Sequence, residues 1–127
     1  MTTETYERGL ALRKQVLGDA YVEQAVAQAD AFTRPMQSFA TEACWGMVWS
    51  RPGLSLRDRS LLNLGMISAL NRPHELKLHV KAALRNGVTR DEIAEVLLQM
   101  AVYCGVPAGM ASFKVAQEAL AEGQVEP

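Results

Sequence analysis

Apolar and polar positions recur with helical spacing through most of the second half of the chain. The run over 55–70 is apolar on almost every face, which predicts a helix buried on most sides, in the core or in a subunit contact. Asn86-Gly87 predicts the end of the next helix, because both residue types tolerate a left-handed conformation. Thr89 and Glu92 form a capping box, in which each side chain accepts a hydrogen bond from an otherwise unpaired backbone amide. The predicted helices of this half cover 55–70, 73–85, 90–103 and 108–121.

In the first half the helical periodicity of apolar residues is weaker, but residues typical of helix ends are clear. Its apolar residues recur at three- and four-residue steps over 4–17 and 19–32, and Asp19 is the predicted N-cap of the second of these helices. Pro35 suits the first turn of a third helix, which we expect to run to about Trp49.

Strand signals are nearly absent, since no hairpin dipeptide lies between alternating apolar runs and β-branched residues are sparse. The chain therefore predicts an all-α fold of about six or seven helices. Its 127 residues suit one domain over 1–127, with a frayed tail at 122–127.

Charge and cysteine content narrow the function classes. Thirteen Lys and Arg against fourteen Asp and Glu argue against a nucleic-acid binder that relies on bulk positive charge. No apolar run approaches the roughly 18 residues that span a bilayer, and the charged N-terminus is unlike a secretory signal. Cys44 and Cys104 form no CxxC pair, so we expect free thiols in a cytoplasmic protein with no membrane partner.

His79 and Glu75 are the first candidate for acid–base chemistry. Four residues apart on the predicted helix over 73–85, both side chains lie on one face. A carboxylate there raises the pKa of the imidazole and orients it, which suits proton transfer near neutral pH, although a solvent-exposed pair has the same spacing. His74 lies five residues from His79 and cannot share its face, so we reject a metal site.

Two tryptophans and two arginines surround the predicted turn at 50–53. Trp45 and Trp49 lie one helical turn apart, a spacing that is also typical of core packing. Arg51 and Arg57 are suited to binding a carboxylate, and the alternative is a solvated turn whose charges nearby acids balance.

Tyr103 and Cys104 lie where one predicted helix ends and the next begins. The phenol is suited to donating a proton or a hydrogen bond. Cys104 is a candidate for contacting a ligand, although a lone cysteine is more often a small buried apolar residue than a nucleophile.

Several segments together resemble the carboxymuconolactone decarboxylase family, whose wider superfamily includes the AhpD-type alkylhydroperoxidases. The resemblance covers about 6–120 and rests on TYERGLALRKQVLGD, WSRPGLSLRDRSL, ELKLHVKAALRNGVTRDEIAEVLLQMAVYCGVPA and SFKVAQEAL. It implies an all-helical homo-trimer or homo-hexamer with active sites near subunit contacts. It also implies a decarboxylase without a cofactor that acts on a dicarboxylate lactone.

The chain departs from the peroxidase branch at the residues that carry peroxidase chemistry. When His79 is aligned with the histidine of that branch, Arg72 and Glu75 stand at its two cysteine positions and Ser60 at about its upstream glutamate. Thiol peroxidase chemistry needs a second thiol beside the attacking thiolate, so that route is excluded.

The resemblance implies decarboxylation of 4-carboxymuconolactone, with His79, Glu75 and Tyr103 as the catalytic residues. The arginines, tryptophans and Cys104 would then contact the substrate. The alternative is a helical oligomer of the superfamily that binds another small organic acid or has a different activity.

Overall fold

The computed structural model describes residues 2–123, which form two compact units. The first unit extends to Ser55 and the second begins at Leu56. Between residues 2 and 123 there are seven α-helices, one π-helical segment and no strand, which confirms the all-α prediction.

The first unit contains three α-helices followed by a continuous π-helical segment, in which backbone bonds join residues five apart. Its elements are α1 (Glu4–Leu17), α2 (Asp19–Ala27), α3 (Arg34–Phe39) and the π segment (Ala40–Trp49). The predicted third helix exists, but its second part is π-helical rather than α-helical.

Helix α2 begins at residue 19 as predicted, but its predicted N-cap and its predicted end were wrong. The N-cap is Gly18, and Asp19 makes no capping bond because it is already helical. The helix ends at Ala27 rather than at 32, because the Asp30 carboxylate accepts hydrogen bonds from the amides of Phe32 and Thr33 at 3.0 and 2.9 Å. These bonds form a local turn that competes with helix continuation.

Helix α1 packs directly on the π segment through two glycines. A Cβ atom at Gly9 would lie 2.1 Å from the Thr41 carbonyl oxygen, and one at Gly46 would lie 2.4 Å from the Thr5 carbonyl oxygen. Only residues without a side chain permit this approach of the two backbones. The Gly46 carbonyl also accepts hydrogen bonds from Arg8 at 3.2 Å and from the Ser50 hydroxyl at 2.5 Å.

The second unit is a four-helix arrangement built from α4 (Leu56–Ala69), α5 (Pro73–Arg85), α6 (Arg90–Cys104) and α7 (Val106–Gly123). Helix α4 packs on α5 and α6, and α7 packs on α5 and α6. The central core residues are Leu64, Leu76, Val80, Ala83, Val88, Ile93, Leu97, Ala116, Ala119 and Leu120.

Local signals explain the helix ends of this unit. The Thr89–Glu92 capping box is present in full, which confirms its prediction. Gly105 alone separates α6 from α7 and has a φ of 122°, a conformation that side chains rarely adopt. Helix α7 therefore starts two residues earlier than predicted.

The tail prediction was wrong for 122–123, which are helical. Glu122 contacts the Lys77 ammonium and lies 2.8 Å from that of Lys81, two lysines one turn apart on α5, and these ion pairs hold the end of α7. Residues 124–127 lie outside the described residues.

Helix α4 is only partly covered within one chain. Leu64 is buried, whereas Leu62, Met66 and Leu70 are between 48 and 63% exposed. Spaced four residues apart, these three side chains form one exposed apolar stripe. No helix within 2–123 is long and apolar enough to cross a membrane.

Candidate functional site

His79 is a buried residue of α5. Its exposed fraction is 9%, whereas Glu75, one turn earlier on the same helix, is exposed. The two side chains interact electrostatically, as their spacing predicts. The pair therefore combines an imidazole inside the second unit with a carboxylate at its surface, and it is not a pair of two solvated side chains.

Glu75 raises the pKa of His79, as predicted, but the net pKa of the imidazole is lower than its ordinary value. Burial lowers the pKa of His79 from 6.5 to about 4, and the Glu75 carboxylate opposes this only in part. The free-energy cost of removing the imidazolium from water is larger than its stabilisation by one partly hydrated carboxylate. His79 is accordingly neutral at pH 7 in the free protein.

Trp45 and Trp49 form a stacked pair in the π segment. Their ring centroids are 4.6 Å apart, the rings are inclined by 21°, and the side chains are only 4 and 5% exposed. Residues four apart in a helical segment lie about one turn apart on the same face, which allows the two rings to stack. The burial favours the packing role that the spacing also indicated.

The two candidate arginines belong to different units. Arg51 is exposed and follows the π segment, and its backbone amide donates to the Val48 carbonyl at 3.0 Å. Arg57, in α4, binds the Glu92 carboxylate of α6 and lies 3.9 Å from Asp58. The charge of Arg57 is thus balanced by acids of its own unit. This agrees with the alternative prediction, in which nearby acids balance the charges of a solvated turn.

Tyr103 and Cys104 end α6 and are both exposed, Tyr103 by 83%. A phenol this accessible is available to a bound molecule or to another chain. Cys44 and Cys104 are both free thiols, which confirms that prediction. Part of Cys44 is also exposed, but burial raises the pKa of its thiol against the opposing influence of Arg13 and Trp49.

Arg13 is a charged residue that the sequence reasoning missed. It is 7% exposed, and its guanidinium donates to the side-chain oxygens of Gln37 at 2.9 Å and Thr41 at 3.1 Å. A usable signal existed, because Arg13 lies four residues after Gly9 and three before Val16 on the buried face of α1. The network joins α1 to α3 and to the π segment.

No group of three His, Cys, Asp or Glu side chains suited to a metal ion occurs among the described residues. Among the described residues of the second unit, His79 is the most buried titratable side chain.

Comparison with known proteins decides the family. The model of the carboxymuconolactone decarboxylase family matches residues 34–118. This chain belongs to that family. The matched range includes the π segment, Arg51, Arg57 and all of α5 and α6.

Two named relatives are decarboxylases. The chain is 47% identical over 115 residues to "Nitrosuccinic acid decarboxylase npaB" from Metarhizium robertsii, covering 91% of this chain and 80% of the relative. It is 37% identical over 124 residues to "4-carboxymuconolactone decarboxylase" from Acinetobacter baylyi, covering 98% of this chain and 92% of that protein. The relatives support a carboxy-lyase reaction for this member of the family.

Proposed function

We propose that this protein removes CO2 from a small dicarboxylate without a cofactor, and that 4-carboxymuconolactone is its first candidate substrate. The product would be the 3-oxoadipate enol-lactone of protocatechuate catabolism (the β-ketoadipate pathway), and the reaction would take place in the cytoplasm. The observation that carries the proposal is the buried His79, coupled to Glu75, in a chain of a decarboxylase family. The named lactone decarboxylase, which aligns with nearly the whole chain, supports the choice of substrate.

The lactone supplies its own electron sink. When the bond to the departing carboxylate on the ring carbon breaks, its electron pair moves through the alkene to the lactone carbonyl and forms an oxyanion. A proton then adds to the carbon beside that carbonyl. The protein has to bind the remaining carboxylate, stabilise the oxyanion and deliver one proton.

We assign the proton to His79, with a modified account of its charge. The free protein holds a neutral imidazole, which is a poor acid. A bound dicarboxylate brings negative charge close to the ring and favours the protonated form, so substrate binding itself charges the donor. Glu75 acts in the same direction, and Tyr103 is the alternative donor.

The remaining predicted residues are assigned to substrate binding. We propose that Arg51 pairs with the retained carboxylate and that Arg57 does so only by exchanging its contact with Glu92. Trp45 and Trp49 would form an apolar wall opposite the departing carboxylate, which favours dispersal of its charge, and Cys104 would contact the substrate at the end of α6.

Nitrosuccinate is the second candidate substrate, favoured by the 47% identity to the nitrosuccinic acid decarboxylase. It is also a dicarboxylate, and its nitro group accepts the electron pair when the neighbouring carboxylate leaves. Protonation of the resulting nitronate at carbon completes the reaction. Both candidates therefore need the same three contributions from the protein.

The non-catalytic alternative is a family member that only binds a small organic acid. Purified protein should be offered both substrates, with CO2 release and loss of substrate followed in parallel. Turnover of 4-carboxymuconolactone supports the first candidate, and turnover of nitrosuccinate alone supports the second. Saturable binding without CO2 release from either substrate would favour the non-catalytic alternative.

The same assay tests cofactor independence. Turnover should survive EDTA and the double substitution Cys44→Ser/Cys104→Ser, because the proposed chemistry uses neither metal nor thiol, and the proposed contact of Cys104 with the substrate should affect KM and not the reaction itself. Loss of activity with EDTA, or in a normally folded double variant, would contradict this part of the proposal.

We further propose that the protein acts as a homo-trimer or homo-hexamer. The exposed stripe of Leu62, Met66 and Leu70 on α4 supports this, because exposed apolar side chains in a row commonly mark a protein contact.

A further inference from the structure

A cavity in the second unit lies between α6 and α7 and has a volume of about 420 Å³. None of the residues predicted for catalysis or substrate binding lines it. Its walls are Arg90, Ile93, Ala94, Leu97, Met110, Phe113, Lys114, Ala116, Gln117 and Leu120. This size is within the range of small-molecule sites.

The floor of this α6–α7 cavity is the hydrophobic core itself. Ile93, Leu97, Ala116 and Leu120 belong to the buried core cluster, and each also lines the cavity. Phe113 and Met110 extend the apolar wall outward, with exposed fractions of 36 and 71%. An apolar body bound here would therefore cover side chains that water now reaches.

The rim of the cavity is positively charged. Arg90 contributes from the start of α6 and Lys114 from α7, and no carboxylate lines the cavity. Among the residues that the structure describes, neither cation forms an ion pair. Two cations above an apolar floor are complementary to a molecule with an anionic head and an apolar body.

We propose that the α6–α7 cavity binds an organic acid with an aromatic or aliphatic body, at a site separate from that of the proposed decarboxylation. The apolar body would contact Phe113, Met110 and the core residues of the floor. The carboxylate would accept hydrogen bonds from Arg90 and Lys114. This inference does not depend on the proposed function, because it uses none of its residues.

The test is a titration of the intact protein with benzoate, followed by the ¹³C-methyl NMR signal of Met110 and by calorimetry. Benzyl alcohol has the same ring without the charge, and acetate has the charge without the ring. We expect benzoate to give a saturable shift of the Met110 signal and to bind more tightly than either comparison compound. Octanoate in place of benzoate distinguishes an aliphatic from an aromatic preference.

Variants separate the contributions of charge and shape. Arg90→Gln/Lys114→Gln should weaken benzoate binding by about tenfold or more and leave benzyl alcohol unchanged. Ala94→Trp should fill the cavity and weaken both ligands. Arg72→Gln removes an exposed cation that does not line the cavity and should leave binding unchanged. Circular dichroism and melting curves establish that each variant is folded.

The proposal is overturned if benzoate produces no saturable shift at Met110, or if the double charge variant binds it as the wild type does. A Met110 signal that changes with protein concentration alone would assign the face to a second copy of the chain and would also overturn it. His79→Ala should retain benzoate binding whether or not it retains turnover, so failure of this proposal is distinguishable from failure of the proposed function.

Discussion

At the scale of single residues, His79 is the position where burial and charge act in opposite directions. The carboxylate of Glu75 favours the imidazolium, burial disfavours it, and burial is the larger effect. The residue is consequently neutral until something negative binds nearby. The burial of His79 therefore affects both the pH dependence of protein stability and the proposed proton transfer.

Substitution of His79 should affect turnover more than that of any neighbouring polar residue on α5. We expect His79→Ala to lower kcat by about 10²–10⁴, the usual contribution of a general acid, with helix content unchanged. Glu75→Gln should give a smaller loss and move the alkaline side of the kcat profile to lower pH, because the removed carboxylate favours the imidazolium that donates the proton. His74→Ala, at an exposed residue of the same helix, is the control. A near-normal kcat in His79→Ala would indicate that Tyr103, and not His79, donates the proton.

The same burial predicts a pH dependence of stability. Because the pKa is about 4 in the folded protein and 6.5 in the unfolded one, the unfolded state binds more protons between these values. The free energy of unfolding should therefore fall as the pH decreases from 6.5 to 4, by up to roughly 3 kcal/mol from this residue. Urea unfolding of His79→Gln should lack this component, whereas His74→Gln should retain it. Equal pH dependence in both variants would contradict the assignment.

Arg51 and Arg57 are the two arginines proposed to bind the substrate carboxylate, and separate alanine substitutions test them. We expect at least one of the two substitutions to raise KM by an amount equal to roughly 1.5–3 kcal/mol of lost charge-assisted hydrogen bonding. Arg57→Ala should also change the melting temperature, since it removes the contact with Glu92. Glu92→Gln is the control for that contact. An unchanged KM in both alanine variants would show that the arginines do not bind substrate and only form part of a solvated turn.

At the scale of elements, the π segment depends on the close approach of α1. Gly46→Ala would place a methyl group 2.4 Å from a backbone oxygen of α1. The helix backbone is rigid, so relieving this clash costs free energy. We expect a loss of about 1–3 kcal/mol in the free energy of unfolding and a weaker near-ultraviolet circular dichroism signal from the stacked tryptophans. Gly53→Ala meets no atom within 4 Å and should be nearly neutral. Equal stability of the two variants would show that the contact between α1 and the π segment is loose.

At the scale of the whole molecule, the exposed stripe on α4 predicts self-association. Sedimentation of the wild type should give a trimer or a hexamer, and a stable monomer of 13.9 kDa would contradict the prediction. Leu62→Asp/Met66→Asp should dissociate the assembly, because two carboxylates in an apolar contact lose their hydration. Phe32→Asp, at a 91% exposed side chain of the first unit, is the matched control.

Features that neighbouring residues encode could be predicted before the fold was known. The Thr89–Glu92 capping box and the all-helical class follow from bonds and spacings within one or two helical turns. The i,i+4 relation of Glu75 and His79 is of the same kind. The end of α2 at Ala27 was encoded locally as well, in the Asp30–Thr33 turn, but helical spacing through 32 obscured it.

Tertiary structure alone decided the features that depend on residues distant in the chain. The π-helical backbone over Ala40–Trp49 packs on α1 through Gly9, about forty residues from Gly46, and no local pattern announces that contact. The ionisation of His79 was decided in the same way. Spacing indicates the carboxylate beside it, but the water excluded by surrounding helices sets the larger effect, and only the packed chain determines how much water is excluded.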